Sequence, residues 1–186
     1  MCKILNMKKA IRKIFVLAVL AACFFATKAF AQSSTVKWVD YTNERYGITL
    51  NYPNNFTIDD VSTAEEFLVN IKVTDDLSFT LRAITNINDM DAKTIAGLLH
   101  DQIKKTDANL EKYVCTDLDN GEKGVYFFME GWNDGKVRNL NMLFFKDIPF
   151  KSYPGVVLKI KCQSELASDA SKIALALINS VKRSHS

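Results

Sequence analysis

Histidine, the side chain that most often does acid–base or metal chemistry near neutral pH, is nearly absent here. His100 sits beside Asp101, and His185 is one residue from the end. A zinc site or a catalytic triad needs an imidazole held by a third group and set against a second ligand or a nucleophile. Neither histidine has such a neighbour in sequence, so His100 reads as a solvated or edge-packed residue of a helix and His185 as part of an inert tail. The four cysteines divide into Cys2 and Cys23 near the start and Cys115 and Cys162 in the body of the chain. Cys115 and Cys162 are an even pair that a disulfide could join in an oxidising compartment, or two buried thiols that pack as small apolar residues. No CxxC motif supports a thioredoxin-like redox role.

Two oxygen-rich stretches invite a cation. Asp117-Leu118-Asp119-Asn120-Gly121 begins like a calcium loop, but an EF-hand needs glycine at its sixth position and a bidentate glutamate at its twelfth. Here the glycine comes fifth and the twelfth place is Phe128, so Asn120-Gly121 reads as a hairpin turn. Asn86, Asn88, Asp89 and Asp91 read as a loop that ends in a helix N-cap. GxSxG, Walker A, GxGxxG and HExxH motifs are missing, which lowers the reading as a hydrolase, NTPase, dehydrogenase or metalloprotease. No metal and no cofactor is expected. Aromatic residues remain: Trp38, Tyr41, Tyr46, Tyr52 and Phe56 crowd the start of the fold, and Trp132, Phe150 and Tyr153 lie near turns. Trp38, Tyr46, Trp132 and Tyr153 are the candidates for an aromatic binding surface; the alternative is that such residues close the ends of the core.

The elements that must hold these residues begin after an export segment. Lys8, Lys9, Arg12 and Lys13 form a positive n-region, Ile14 to Ala26 an uncharged apolar h-region, and Ala29-Phe30-Ala31 a small-x-small site before Gln32. Met7-Lys8-Lys9 reads as a more natural start than Met1. The apolar run is broken by Lys28 short of the about 20 residues that a membrane span requires. Residues 1–31 are therefore expected to be a signal peptide, and residues 32–186 one exported domain, periplasmic or secreted. The alternative is a lipoprotein: Leu20-Ala21-Ala22-Cys23 fits a lipidation site, although Phe24 and Phe25 continue the apolar run where a polar tether is usual. A membrane enters the account only if Cys23 is lipidated. Removing residues 1–31 takes away six of the 24 basic residues and none of the 21 acidic ones, which turns the formal charge of +3 into −3. The mature chain has no basic stripe for a nucleic acid.

Period-two alternation dominates the next stretch. Ile48, Leu50 and Tyr52 share one face; Phe67, Val69, Ile71 and Val73, then Leu77, Phe79, Leu81 and Ala83, form an antiparallel hairpin turned at Asp75-Asp76. From Asp91 the period becomes helical, with Ile95, Leu98, Leu99 and Ile103 expected to face the sheet and Lys104-Lys105 in the last turn. Strands resume over 112–118, 124–132 and 137–145, with turns at Asn120-Gly121 and Asn133-Asp134-Gly135. Val125 to Met129 is apolar on both faces, as in a strand covered on both sides. Val156 to Cys162 reads as the last strand, and Ser164 as the cap of a terminal helix with the stripe Leu166, Ala170, Ile173, Ala174, Leu177, Ile178, Val181 and with Lys182-Arg183 at its end. This order gives an α+β domain: a largely antiparallel sheet packed by two helices.

Within that order, Tyr46-Gly47-Ile48-Thr49-Leu50-Asn51-Tyr52-Pro53-Asn54-Asn55-Phe56 resembles the opening signature of the PsbP-like superfamily, in which an aromatic-Gly strand runs to Tyr-Pro and an aromatic residue starts the next element. The final helix, ending near Ile178-Asn179-Ser180-Val181-Lys182, is similar as well. The resemblance implies a PsbP/Mog-like sandwich and a secreted bacterial member with a binding or assembly role and no catalysis. No ligand residue carries over from it. The expectation is an exported non-catalytic binding or assembly factor of the cell envelope, acting on an envelope protein or a small ligand and on no nucleic acid. The alternative is a small envelope hydrolase with a site that one sequence does not reveal.

Overall fold

The computed structural model describes residues 36–85, 88–107, 113–132 and 139–184, and all the elements below lie in one unit, Lys37–Ser186. Among the described residues, two sheets and two helices form: β1 (Trp38–Asn43), β2 (Ile48–Pro53), β3 (Thr57–Asp60), β4 (Leu68–Lys72), β5 (Ser78–Ala83), α1 (Ala92–Asp107), β6 (Tyr113–Cys115), β7 (Asp119–Asn120), β8 (Val125–Trp132), β9 (Asn139–Phe150), β10 (Tyr153–Gln163), α2 (Ala167–Ser180) and β11 (Lys182–Arg183). The main sheet runs β3-β4-β5-β10-β9-β8-β6 with β7 beside β8, and β2 lies between β1 and β11 in a second, small sheet. The pairings are antiparallel. The fold class is α+β, with the largely antiparallel sheet and two helices that the periodicity predicts.

The β4–β5 hairpin turns over Asp75-Asp76, with Val73 N–H donating to Leu77 O at 3.0 Å and Ile71 opposite Phe79. The alternating side chains Val69, Ile71, Phe79 and Leu81 go to one face and are fully buried. That face, with Leu158 and Ile160 of β10 and Phe144 of β9, is closed by Ala170, Ala174, Leu177 and Ile178 of α2 and by Ile48 and Leu50 of β2. The alanines let the helix approach the strands closely, and Leu177 and Ile178 fill the space beside them.

The end of α2 is held by the strand beneath it. Lys146 of β9 is buried, and its ammonium donates to the carbonyl oxygens of Asn179, at 2.9 Å, and Val181. These carbonyls lie at a helix terminus, where intrahelical partners run out. The sequence assigns that role to Lys182-Arg183, but those residues leave the helix to form β11 against Thr49 and Ile48. At the other end a 3₁₀ turn spans Ser164–Leu166, so Leu166 rather than Ser164 is the N-cap, without a side-chain cap bond.

On the opposite face, α1 packs over β6, β8 and β9 and the near edge of β10. Its phase differs from the expected one. Ala92, Ala96 and His100 are buried against the sheet, Ile95, Leu99 and Ile103 are half-buried at the flanks, and Leu98 is 54% exposed. The reason is steric: small residues take the line of closest approach, and the leucines are displaced to either side. Asp91 is the N-cap as read, its Oδ1 accepting from Thr94 N–H at 2.7 Å. The turn expected at Asn120-Gly121 comes later: Asp119–Asn120 form β7 against Phe127 and Tyr126, and the chain reverses through a 3₁₀ turn at Glu122–Gly124, closed by Gly121 N–H to Val125 O at 2.7 Å. The turn at Asn133-Asp134-Gly135 lies outside the described residues, as do Asn86 and His185.

Candidate functional site

Because α1 covers only one half of its sheet face, a groove opens along the helix edge where β5, β10 and β9 emerge from beneath it. The groove measures about 450 Å³. Its floor is Val157, Leu143 and Phe145, which belong to the apolar cluster under the helix. Ile95, Leu98 and Leu99 form the helical wall, Ile84 and Met90 close one end, and Arg82, Lys159 and Gln102 stand on the rim. Register places the floor and rim together: Val157 pairs with both Arg82 and Phe145, and Lys159 with Leu143. The residue type that marks the site is Leu98, a large apolar side chain left half in solvent on a helix whose sheet-facing line is alanine.

A second cleft, of about 520 Å³, lies beside the small sheet and is lined by Asp40, Glu44, Lys151, Lys182 and Arg183. It is larger but has little apolar surface, and both signs of charge line it. The apolar groove is therefore the better ligand site, since small-molecule sites bury most of a ligand against hydrophobic walls.

The residues singled out in the sequence fall elsewhere. Tyr46 is buried, with ring centroids 5.4 Å from Phe67, 6.3 Å from Phe150 and 6.2 Å from Tyr153. Tyr46 Oη donates to Thr63 O at 3.1 Å, Tyr153 Oη donates to Glu65 O at 2.7 Å, and Lys151 Nζ lies 4.3 Å over the Tyr46 ring. Burial pushes the Tyr46 hydroxyl above its ordinary pKa. Tyr46 and Tyr153 thus close an end of the core together. Trp38, on β1 of the small sheet, and Trp132, edge-on to Tyr113 at 5.3 Å on β8 of the main sheet, are each about half exposed and belong to different sheets. No single aromatic surface gathers the four. Cys115 and Cys162 are not joined to each other. They pack into the two clusters on opposite faces of the sheet, so the disulfide left open by the sequence does not form, and burial raises the Cys162 thiol.

His100 is not the solvated or edge residue its spacing suggests. It is buried, its ring 5.3 Å from Phe128, with Nε2 3.0 Å from Thr116 O and Nδ1 3.5 Å from Asp101. The contact with Thr116 ties α1 to the segment that follows β6. A further polar knot joins the two sheets: Asp60 of β3 accepts from Tyr41 Oη, from Asn43 Nδ2 at 2.9 Å and from Ser62 N–H at 3.0 Å. Burial opposes the Asp60 carboxylate, but these bonds outweigh it and hold the acid below its usual range. Burial and Asp60 together raise the Tyr41 hydroxyl, which keeps its proton as a donor. Asp117, part of the calcium-like stretch, forms an ion pair with Lys104 of α1. Among the described residues, no group of histidine, cysteine or acidic side chains is placed to hold a metal.

The sequence matches no family model and no curated protein. Among solved structures, the chain is similar to the Ran-binding protein Mog1p of Saccharomyces cerevisiae, at 12% identity over 81% of this chain and 97% of that one, with a TM-score of 0.48. It is also similar to LpqN, involved in cell envelope biogenesis of Mycobacterium tuberculosis, at 12% identity over 82% of this chain and 94% of that one, with a TM-score of 0.47. Neither likeness assigns a ligand or a partner to this chain.

Proposed function

We propose that the protein is an exported, non-catalytic binding factor of the cell envelope, and that its ligand enters the groove between α1 and the β5–β10–β9 face. Residues 1–31 are its signal peptide, by the charges of the n-region, the apolar h-region and the small-x-small site, and residues 32–186 its PsbP-like domain. The observation that carries the reading is the exposed Leu98 above an apolar floor of Val157, Leu143 and Phe145. The close approach of Ala92 and Ala96 to the sheet leaves Leu98 at the helix flank, where its apolar surface and the groove floor stay open for a ligand to cover. The engagement of His100 by Thr116 and Asp101 supports binding over hydrolysis.

The test is a fluorescence titration of the purified protein with the neutral apolar probe N-phenyl-1-naphthylamine. Saturable one-site binding is expected, weakened in Leu98→Glu with the unfolding midpoint kept. An absence of saturable binding, or equal binding by Leu98→Glu, would contradict the assignment of the groove.

A further inference from the structure

The rim of the groove is not electrically neutral. Arg82 and Lys159 come from neighbouring strands in which Arg82 pairs with Val157 and Lys159 with Thr80. They are diagonal neighbours on one sheet face, about 7–8 Å apart between Cα atoms. Both are exposed, and among the described residues neither has an ion-pair or hydrogen-bond partner. Among the described residues, no carboxylate lines the groove. Directly across the ladder from these cations lie Val157 and Leu143 of the apolar floor, so a cationic ledge adjoins a hydrophobic trough.

We infer that the groove takes a single-chain fatty carboxylate, its chain along Val157, Leu143 and Leu98 and its head group on Arg82 and Lys159. The inference rests on the groove being the binding site. An Arg fork meets a carboxylate through two parallel hydrogen bonds. A neutral ligand of the same shape would cover the trough and leave two cations partly desolvated without a partner. The volume of about 450 Å³ lies within the range of small-molecule sites. A phosphate head is the poorer fit, because phosphate sites recruit free backbone N–H groups at a helix N-terminus. The helix N-terminus beside this groove already gives its Thr94 N–H to the Asp91 carboxylate.

Laurate, dodecyl phosphate, dodecanol and dodecyltrimethylammonium, each below its micelle concentration, compete against N-phenyl-1-naphthylamine on the purified protein. Laurate is expected to bind about tenfold tighter than dodecanol, the scale of a charge-assisted hydrogen bond, and the cationic amphiphile to bind weakest. In Arg82→Gln/Lys159→Gln the preference for laurate over dodecanol disappears. Lys161→Gln, one step further along the same face and outside the groove, keeps it. Displacement by all four amphiphiles alike would overturn the inference while leaving the groove as a binding site; failure of the probe itself to bind would overturn the groove. Tighter binding of dodecyl phosphate than laurate, displacement only by an acidic amphipathic peptide, or an equal loss in Lys161→Gln would also overturn it.

Discussion

Replacing Lys146 by methionine keeps the stem as far as Cε and removes the ammonium, which isolates the clamp on the end of α2. Lys146 is 8% exposed and donates to the carbonyls of Asn179 and Val181. Leaving two buried acceptors without a donor costs about 1–3 kcal/mol each. Against this, burial, with a contribution from Lys123, lowers the pKa of Lys146 from 10.5 to about 8, so the charged form carries a penalty of about 3 kcal/mol at neutral pH that methionine would not. The balance at pH 7 lies between near zero and a net loss of about 3 kcal/mol. The sign of the pH dependence follows from linkage. Between pH 8 and 10.5 the unfolded chain holds a proton on Lys146 that the native state has released, so this group makes stability rise with pH across that window. Cys162, Tyr41 and Tyr46, all with raised pKa, act in the opposite sense above their ordinary values but are common to both proteins. Urea unfolding of wild type and Lys146→Met at pH 7 and pH 9.5 should therefore show a difference that grows by about 2 kcal/mol. A difference that stays flat, or a variant as stable as wild type at both pH values, would refute the clamp.

The phase of α1 predicts that Leu98→Ala changes stability by no more than about 0.5 kcal/mol, as at other surface positions, whereas Leu177→Ala, in the fully buried line of α2, costs about 2–5 kcal/mol; chemical unfolding of both checks this. Gly155→Ala should destabilise by about 1–3 kcal/mol, because a Cβ there would stand 2.1 Å from the carbonyl oxygen of Lys146 on the neighbouring strand; an unchanged midpoint would contradict that close approach. Intact-mass analysis of protein from its native host should find a chain beginning at Gln32, while one beginning at acylated Cys23 would make it a lipoprotein.

The features legible in the sequence were those written in local periodicity. The β4–β5 hairpin follows from alternation over 67–83, and the α2 stripe from Ala170, Ala174, Leu177 and Ile178, because each pattern has one apolar face. In α1 two adjacent leucines flank a wide stripe, and hydrophobicity alone favours them over Ala92 and Ala96; it takes the close approach to Phe128 and Leu143 to choose the alanines. Distance along the chain hid the rest. Nothing near Lys146 in sequence announces the end of a helix some thirty residues later, and Cys115 and Cys162 look pairable until the sheet places them on opposite faces. The groove itself combines β5, α1, β9 and β10, so no motif in one segment could reveal it.

The central claim, that the groove along α1 binds the ligand, is tested most directly by a ¹⁵N–¹H correlation titration of the protein with laurate. Saturating shifts should cluster at Arg82, Ile84, Leu98, Leu99, Leu143 and Val157, with Tyr46 and Trp38 unmoved. Shifts centred instead on the Tyr46–Tyr153 end of the core, or spread over the molecule without saturation, would contradict it.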